Sequence, residues 1–373
     1  MILWIFIMAA LLIVFAAAII YLSNRFRKFQ VVKRFAKGKK WLERTVSLAL
    51  VALLIAVFWI TMNFMNAVIV LLHLVVFWLL CDFGAYIFRR ITKKEFPKSY
   101  AGVLAMIFTA IYLCIGWYLA NNVWRTEYQI ATDKDIGKVR LVLFSDSHVG
   151  TTFDGDDWEQ YIDRMNAENP DVVLIAGDFV DDDTQRDDMI KSCKAMGQLK
   201  TKYGAYYAFG NHDKGYYEAS RRGYDSEELI AELEKNHVTV LQDENVLIDS
   251  RFYIIGRKDR SEEQQGSQRA DMESLVKDLD ASKFSIVMDH QPYDYDGEEK
   301  AQVDMVLSGH THGGQFIPIN DVGEWTGENA KSYGYEKRDR TNFIVTSGIS
   351  DWAFKFKTGC KSEYVVIDIH KED

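Results

Sequence analysis

The hydrophobic pattern of this chain changes character near residue 125. Before that point apolar residues come in long unbroken runs, and after it they come in short β-branched bursts separated by polar or amphipathic stretches. A helix crosses a hydrocarbon core with about 20 consecutive apolar residues. Shorter bursts read as strands buried on at least one face. The pattern therefore predicts a membrane domain over residues 1–125 and a globular α/β domain over residues 126–373.

Within the first part the apolar runs are Met1 to Leu22, Val46 to Cys81 and Ala101 to Ala120, the middle one interrupted by "TMNFMN" at residues 61–66. Read as a hairpin, that interruption makes an all-α transmembrane region of four helices. The first run lacks a basic leader, so it reads as a retained helix rather than a cleaved signal. In the second part "KVRLVLFS", "DVVLIAG", "GAYYAFG", "RFYIIG", "FSIVMD", "DMVLSG", "NFIVTSG" and "EYVVIDI" read as strands. Helical periodicity covers residues 158–169, 186–199, 226–236 and 272–279.

Charge divides the same way. Residues 1–130 hold 15 Lys+Arg against 4 Asp+Glu, which leaves 29 against 49 for the rest, so the second part is acidic and no nucleic-acid partner is expected. Nine basic residues lie between Arg25 and Arg44 and five between Arg89 and Lys98, while the 61–66 hairpin has none. Cytoplasmic loops collect Lys and Arg. A multi-pass cell-membrane protein with its second domain outside the cytoplasm is expected.

Ionisable residues inside spans default to a functional reading. His73 and Asp82 fall on opposite faces of one helix, so a shared relay is disfavoured, and Asp82 is expected to pair with Arg89. Of the four cysteines, Cys193 and Cys360 could pair outside the cytoplasm, but spacing alone does not decide it.

Candidate chemistry gathers where the strands of the second part stop. "SDSHVG" places Asp146 and His148 two residues apart, "GDFVDD" supplies Asp178, "GNHDKG" supplies Asn211, His212 and Asp213, "DHQP" supplies His290, and "GHTHGG" supplies His310 and His312. Residues i and i+2 of an extended segment share a face, so His310 and His312 can serve one site. Open sheets build sites by gathering such residues from several strand ends. His237 and His370 lie outside this setting and are expected at the surface.

The ordered set D-x-H, G-D-x-x-D, G-N-H-D, H, G-H-x-H resembles the calcineurin-like metallophosphoesterase superfamily over about residues 138–373, and "GHTHGGQF" with "FIVTSGIS" is most similar to its membrane-associated bacterial branch. The resemblance implies a metallophosphoesterase-type β-sandwich flanked by helices, with two divalent ions (Mn, Fe or Zn) at one edge. One ion would be held by Asp146, His148 and His312, the other by Asn211, His290 and His310, with Asp178 bridging. His212 would face the leaving group and Asp213 would orient its imidazole. Oxygen and imidazole ligands suit these metals. Paired ions make water a nucleophile at neutral pH and polarise phosphoryl oxygens. Ser147 stands where the family often has a bulky apolar residue, at a position expected to point away from the metals.

Two loops, Lys214–Asp225 and Glu324–Arg340, mix aromatic and basic residues and are expected to border the site. The segment "NNVWRTEYQIATDKDIGK" reads as a short tether, which favours a lipid-borne phosphate or pyrophosphate. The alternatives are a membrane-retained hydrolase of broad specificity for soluble esters and a metal-binding regulatory module.

Overall fold

The computed structural model describes residues 2–94 and 98–372, with side chains over 12–94 and 100–372. It divides into two compact units, one of Met1–Trp117 with Ala353–Lys355, the other of Tyr118–Trp352 with Phe356–Asp373.

The first unit is helical: α1 (Ile2–Phe26), α2 (Gln30–Phe35), α3 (Lys40–Thr61), α4 (Phe64–Thr92) and α5 (Lys98–Asn121). Leu22, Val51, Leu71, Leu74, Trp78 and Ala105 form its packed centre. Asn63 starts α4 by accepting the Asn66 N–H at 2.9 Å, the side-chain cap that lets the chain reverse within the interrupted run. Three helices among the described residues are long and apolar enough to span a membrane: Lys40–Thr61, Phe64–Thr92 and Tyr100–Asn121. Against the expected four, the described residues supply three. Of α1, the described apolar stretch is only Leu12–Phe26. The expected Asp82–Arg89 pair is also corrected. Asp82 is instead bonded to Arg25 and accepts the Tyr21 hydroxyl at 3.4 Å, because α1 packs on α4 and brings a closer cation.

The second unit is built on twelve strands: β1 (Trp124–Thr132), β2 (Val139–Phe144), β3 (Val172–Ala176), β4 (Ala205–Ala208), β5 (Val238–Val240), β6 (Glu244–Ile248), β7 (Phe252–Gly256), β8 (Phe284–Met288), β9 (Met305–Ser308), β10 (Gly334–Arg338), β11 (Thr341–Val345) and β12 (Glu363–Lys371). They form two six-stranded sheets, in the orders β1-β12-β2-β3-β4-β5 and β10-β11-β9-β8-β7-β6. Residues of β2, β3 and β12 in one sheet and of β7, β8, β9 and β11 in the other share one apolar core, the filling of a sandwich. The other face of the first sheet is covered by α6 (Trp158–Ala167), α7 (Arg186–Met196) and α8 (Ser226–Lys235), through Trp158, Ile162, Met189, Cys193, Leu229 and Leu233.

Parallel pairing β2–β3–β4 in one sheet and β7–β8–β9 in the other explains why these strands read as unbroken apolar runs: both of their faces are buried. It also sends their carboxyl ends, and the loops after them, in a common direction within each sheet. The tether read from the sequence is in fact largely β1, paired in parallel with β12.

Candidate metal centre

Loops after β2, β3, β8, β9 and β11 interlock through their backbones, and the loop after β4 joins them through the Asp178 and Asp213 carboxylates. The Asp146 N–H donates to Gly177 O at 3.0 Å, His148 N–H to Asp178 O at 3.2 Å, Gly309 N–H to His290 O at 3.0 Å and Ser350 N–H to Asp146 O at 3.2 Å. Asp146, His148, Asp178, His310 and His312 all have positive φ, between 37° and 69°. Such backbone costs about 1–3 kcal/mol per residue and persists where surroundings enforce it, which is characteristic of functional sites. Gly309 is required by close approach, since a Cβ there would lie 2.3 Å from the Asp146 Oδ2.

These loops bring two sets of ligand-type atoms together. Asp146, His148 and His312 form one, and Asp178, His290 and His310 the other, with the atoms of each set within 4.8 Å of one another. Asp178 faces both: its Oδ2 lies 3.0 Å from His290 Nε2 and 3.7 Å from His148 Nε2. Asn211 donates its amide to the Tyr216 hydroxyl at 2.8 Å, leaving its buried Oδ1 without a partner. His148 Nε2 and His312 Nδ1 are likewise buried without a hydrogen-bond partner. Three such orphaned atoms in one place are expensive for a folded protein, and all are lone-pair donors of the kind a divalent cation takes up. The residues present fit a pair of cations.

Electrostatics agree with that reading. Burial alone would raise the Asp146 and Asp178 carboxyls, but the surrounding histidines outweigh it and hold both below the usual range, Asp178 well below. Burial carries His312 down to about 3, so its imidazole is neutral and its lone pair available near pH 7. Burial also lowers His310. His148 and His290 move up despite burial, through Asp181 and Asp178 for the former and mainly Asp178 for the latter. Cations bound here would displace those protons.

The second row of contacts fixes tautomers. His290 Nδ1 lies 2.7 Å from Ala176 O, so this nitrogen carries the proton and Nε2 faces Asp178. The Asp181 carboxylate lies 3.3 Å from His148 Nδ1 and is itself held by Thr184 and the Asp183 N–H. Asp181 is the second aspartate of the G-D-x-x-D motif, and its spacing was the signal for a role that the sequence reading did not assign.

His212 belongs to neither ligand set. Its N–H donates to Asp178 Oδ1 at 2.8 Å, and its half-buried ring lies 5.1 Å, centre to centre, from each of His148, Tyr216 and Trp352. Asp213 is fully buried and departs from the implied role. Its carboxylate accepts the N–H groups of Asp178, Phe179, Val180 and Gly210, at 2.9, 2.9, 3.2 and 2.6 Å. It grips the backbone that presents Asp178 and not the His212 imidazole, because four converging N–H groups take up its lone pairs. Trp352 was not anticipated at all. Its loop is pinned by fully buried Lys357, whose ammonium donates to Ser347 O and Ser350 O at 2.7 and 3.0 Å and lies 3.4 Å from Asp351.

Ser147 points away from the ligand sets, donating to Phe179 O at 2.8 Å. The basic residues of the Lys214–Asp225 loop have structural partners: Lys214 with Glu262, Arg221 with Asp183, and buried Arg222 on Asp213 O. Cys193 and Cys360 are both free. The former lies on the buried face of α7 while the latter donates to His312 O, so the optional disulfide is not formed. His237 is exposed, whereas His370 is half-buried on β12.

Residues 139–314 match the family model described as calcineurin-like phosphoesterase. A transmembrane protein with metallophosphoesterase domain from Danio rerio is 30% identical over 313 residues, covering 79% of this chain and 69% of that one. An uncharacterized metallophosphoesterase of Campylobacter jejuni is 27% identical over 298 residues, covering 77% and 76%. One from Helicobacter pylori is 28% identical over 270 residues, covering 68% and 69%. The chain belongs to the calcineurin-like phosphoesterase family. It is a membrane protein and a metal-dependent hydrolase of phosphoester bonds.

Proposed function

We propose that this chain is a dinuclear phosphohydrolase that cleaves a phosphate ester or pyrophosphate on a lipid or lipid-linked substrate, with a membrane domain of residues 1–125 carrying a catalytic domain of residues 126–373 outside the cytoplasm. Asp146, His148 and His312 would hold one ion, and Asn211, His290 and His310 the other, with Asp178 between them. Mn, Fe and Zn suit this donor set. When bound, the pair supplies Lewis acidity toward phosphoryl oxygens and lowers the pKa of water.

The chain's own groups do the rest. The interlocked loops fix the ligand directions in advance, so no reorganisation is needed as charge develops on phosphorus. His212, free of both ligand sets, places its imidazole beside the departing oxygen and supplies a proton or hydrogen bond there. Trp352 and Tyr216 flank that ring and border the leaving group.

The observation that carries the lipid assignment is the connection between domain and span. The catalytic unit begins at Tyr118, inside α5. The last turn of that helix is bonded into it: Leu119 O accepts the Ser362 N–H at 3.0 Å and Ala120 O accepts the Ser362 hydroxyl at 2.7 Å. A catalytic unit joined this directly to the end of a span gains most from a substrate concentrated in the same bilayer. Orientation rests on the two basic loops, and it is the same whether or not α1 crosses, because the loop before α3 and the loop before α5 both remain inside.

The test uses the full-length protein in vesicles containing a lipid phosphate. At constant total substrate, diluting that lipid with inert phospholipid lowers the rate if the enzyme samples the membrane plane. A rate that ignores surface dilution, with a soluble aryl phosphate cleaved as fast, favours the soluble-ester reading.

A further inference from the structure

Directly after the "GHTHGG" segment the chain exposes four large apolar side chains within nine residues: Ile317, Ile319, Val322 and Trp325, at 53%, 56%, 42% and 69% of their surface. They are not scattered. Ile319 N–H donates to Phe316 O, Val322 N–H to Ile319 O at 3.2 Å and Trp325 N–H to Asp321 O at 3.0 Å, so Ile319, Val322 and Trp325 succeed one another at three-residue spacing along consecutive turns and stand on one side of a short ridge. Buried Phe316 anchors the near end. Single exposed apolar residues are ordinary, but a contiguous ridge topped by a tryptophan marks an interaction surface.

What covers the ridge follows from its support. Ile317 N–H donates to the Thr358 hydroxyl at 3.2 Å, and Thr358 and Gly359 both donate N–H groups to Gln315 O, at 2.8 and 3.1 Å. The ridge thus sits on the 357–362 segment. Ser362 of that segment accepts the Lys357 ammonium at 3.1 Å and makes the two bonds to the last turn of α5. Tyr118 and Trp124, exposed around the end of that helix, are of the kind that marks the membrane–water interface, and Lys361 lies over the Trp124 ring at 5.6 Å. All of these residues fall within one compact unit. α5 runs on from this unit into a membrane span, so the apolar phase that the chain itself supplies is a bilayer.

We infer that the Ile317–Trp325 ridge is a membrane-docking element, which inserts into the lipid interface and seats the ligand loops against it. The inference rests on α3, α4 and α5 being membrane spans and not on the substrate being a lipid. Residues 315–330 carry Asp321, Glu324 and Glu328 but no Lys or Arg, so the attraction is apolar, independent of anionic headgroups and little affected by salt.

The experiment is depth measurement by spin labelling of the full chain in phosphatidylcholine liposomes. Cys81, Cys114, Cys193 and Cys360 are replaced by Ala, and single labels are introduced as Ile319→Cys or Trp325→Cys, with Leu247→Cys on the exposed edge of β6 as the aqueous reference. Ile317→Cys substitutes for any variant that no longer hydrolyses a soluble aryl phosphate. The expected result is a ratio of oxygen to water-soluble nickel-chelate accessibility several-fold higher at 319 and 325 than at 247, unchanged by 0.5 M salt, a concentration chosen to compress the Debye length to about 4 Å. Equal ratios at all three positions overturn the inference. So does shielding at 325 that vanishes when the protein is diluted to about one copy per vesicle, because the cover is then a second copy. Because the readout involves no lipid phosphate, a negative surface-dilution result would leave this inference standing, and a negative depth result would leave the substrate reading standing.

Discussion

The Asp213 carboxylate accepts the Asp178 N–H at 2.9 Å, and three neighbouring N–H groups converge on the same two oxygens. The aspartate following His212 is thereby a clamp on the central ligand. Asp213→Ala is expected to lose bound metal and lower the melting temperature, since four buried N–H groups lose their acceptor. If Asp213 served the His212 imidazole instead, the variant would keep its metal and its melting temperature and lose only turnover. Metal analysis with a thermal melt separates the two.

His212 and the ligands should part company under mutation. Asp178→Asn or His310→Ala is expected to abolish hydrolysis and deplete metal, as a chelator should in the wild type, with activity returning on adding Mn or Zn. His212→Ala should keep both ions and lose turnover by roughly 10²- to 10⁴-fold, the usual range for a positioned acid. Metal loss in His212→Ala equal to that in Asp178→Asn would contradict the assignment.

Asp181 acts through His148. Its replacement by Ala removes the acceptor 3.3 Å from Nδ1 that fixes the ring's orientation. Metal affinity should fall roughly 10- to 100-fold, as is common when a ligand's hydrogen-bond partner is lost. Titration with metal should restore near-normal turnover at saturation, which a purely structural lesion would not allow.

Far from the site, Arg140 holds Asp368 through two bonds of 2.6 and 2.8 Å, and this contact keeps the carboxyl below its ordinary pKa. The stabilisation is therefore fully present above the unfolded carboxyl's pKa and disappears as pH falls through the lower folded value. Asp368→Asn should cost about 0.5–1 kcal/mol at pH 7, as befits a partly exposed pair. Thermal melts at pH 7 and near pH 3 should show that difference shrinking.

Topology is checked with protease on intact spheroplasts, which should digest the catalytic domain. Full protection alongside a digested control would place it in the cytoplasm and reject the orientation drawn from the basic loops.

Much of this was legible in the sequence because the ligand-bearing strands are buried on both faces. β2, β3, β8 and β9 read as apolar runs, and the residues ending them could be picked out by chemistry. β1 was not legible: it alternates, lies at a sheet edge, and its partner β12 is remote, so its polar positions passed for a tether. β5, β6 and β10 escaped for similar reasons, being short or partly exposed. Trp352 near His212 and the grip of Asp213 on backbone N–H groups are tertiary facts that no local spacing encodes. The Asp82 partner was misread because only i,i+7 neighbours were visible, whereas Arg25 arrives from another helix.

The pairing of β1 with β12 also has a consequence in time. Gln129 bonds to Asp368, 239 residues further on, and β2 too takes β12 as a neighbour. At about 5–20 residues per second of synthesis, the strand emerging straight after α5 waits roughly 10 to 50 s for its partner. Throughout that interval an unpaired edge stands beside a newly inserted membrane helix, where it can be captured by other nascent strands. Production of this protein should therefore be unusually sensitive to translation rate and to holding chaperones at the membrane, even in variants whose finished fold is as stable as the parent.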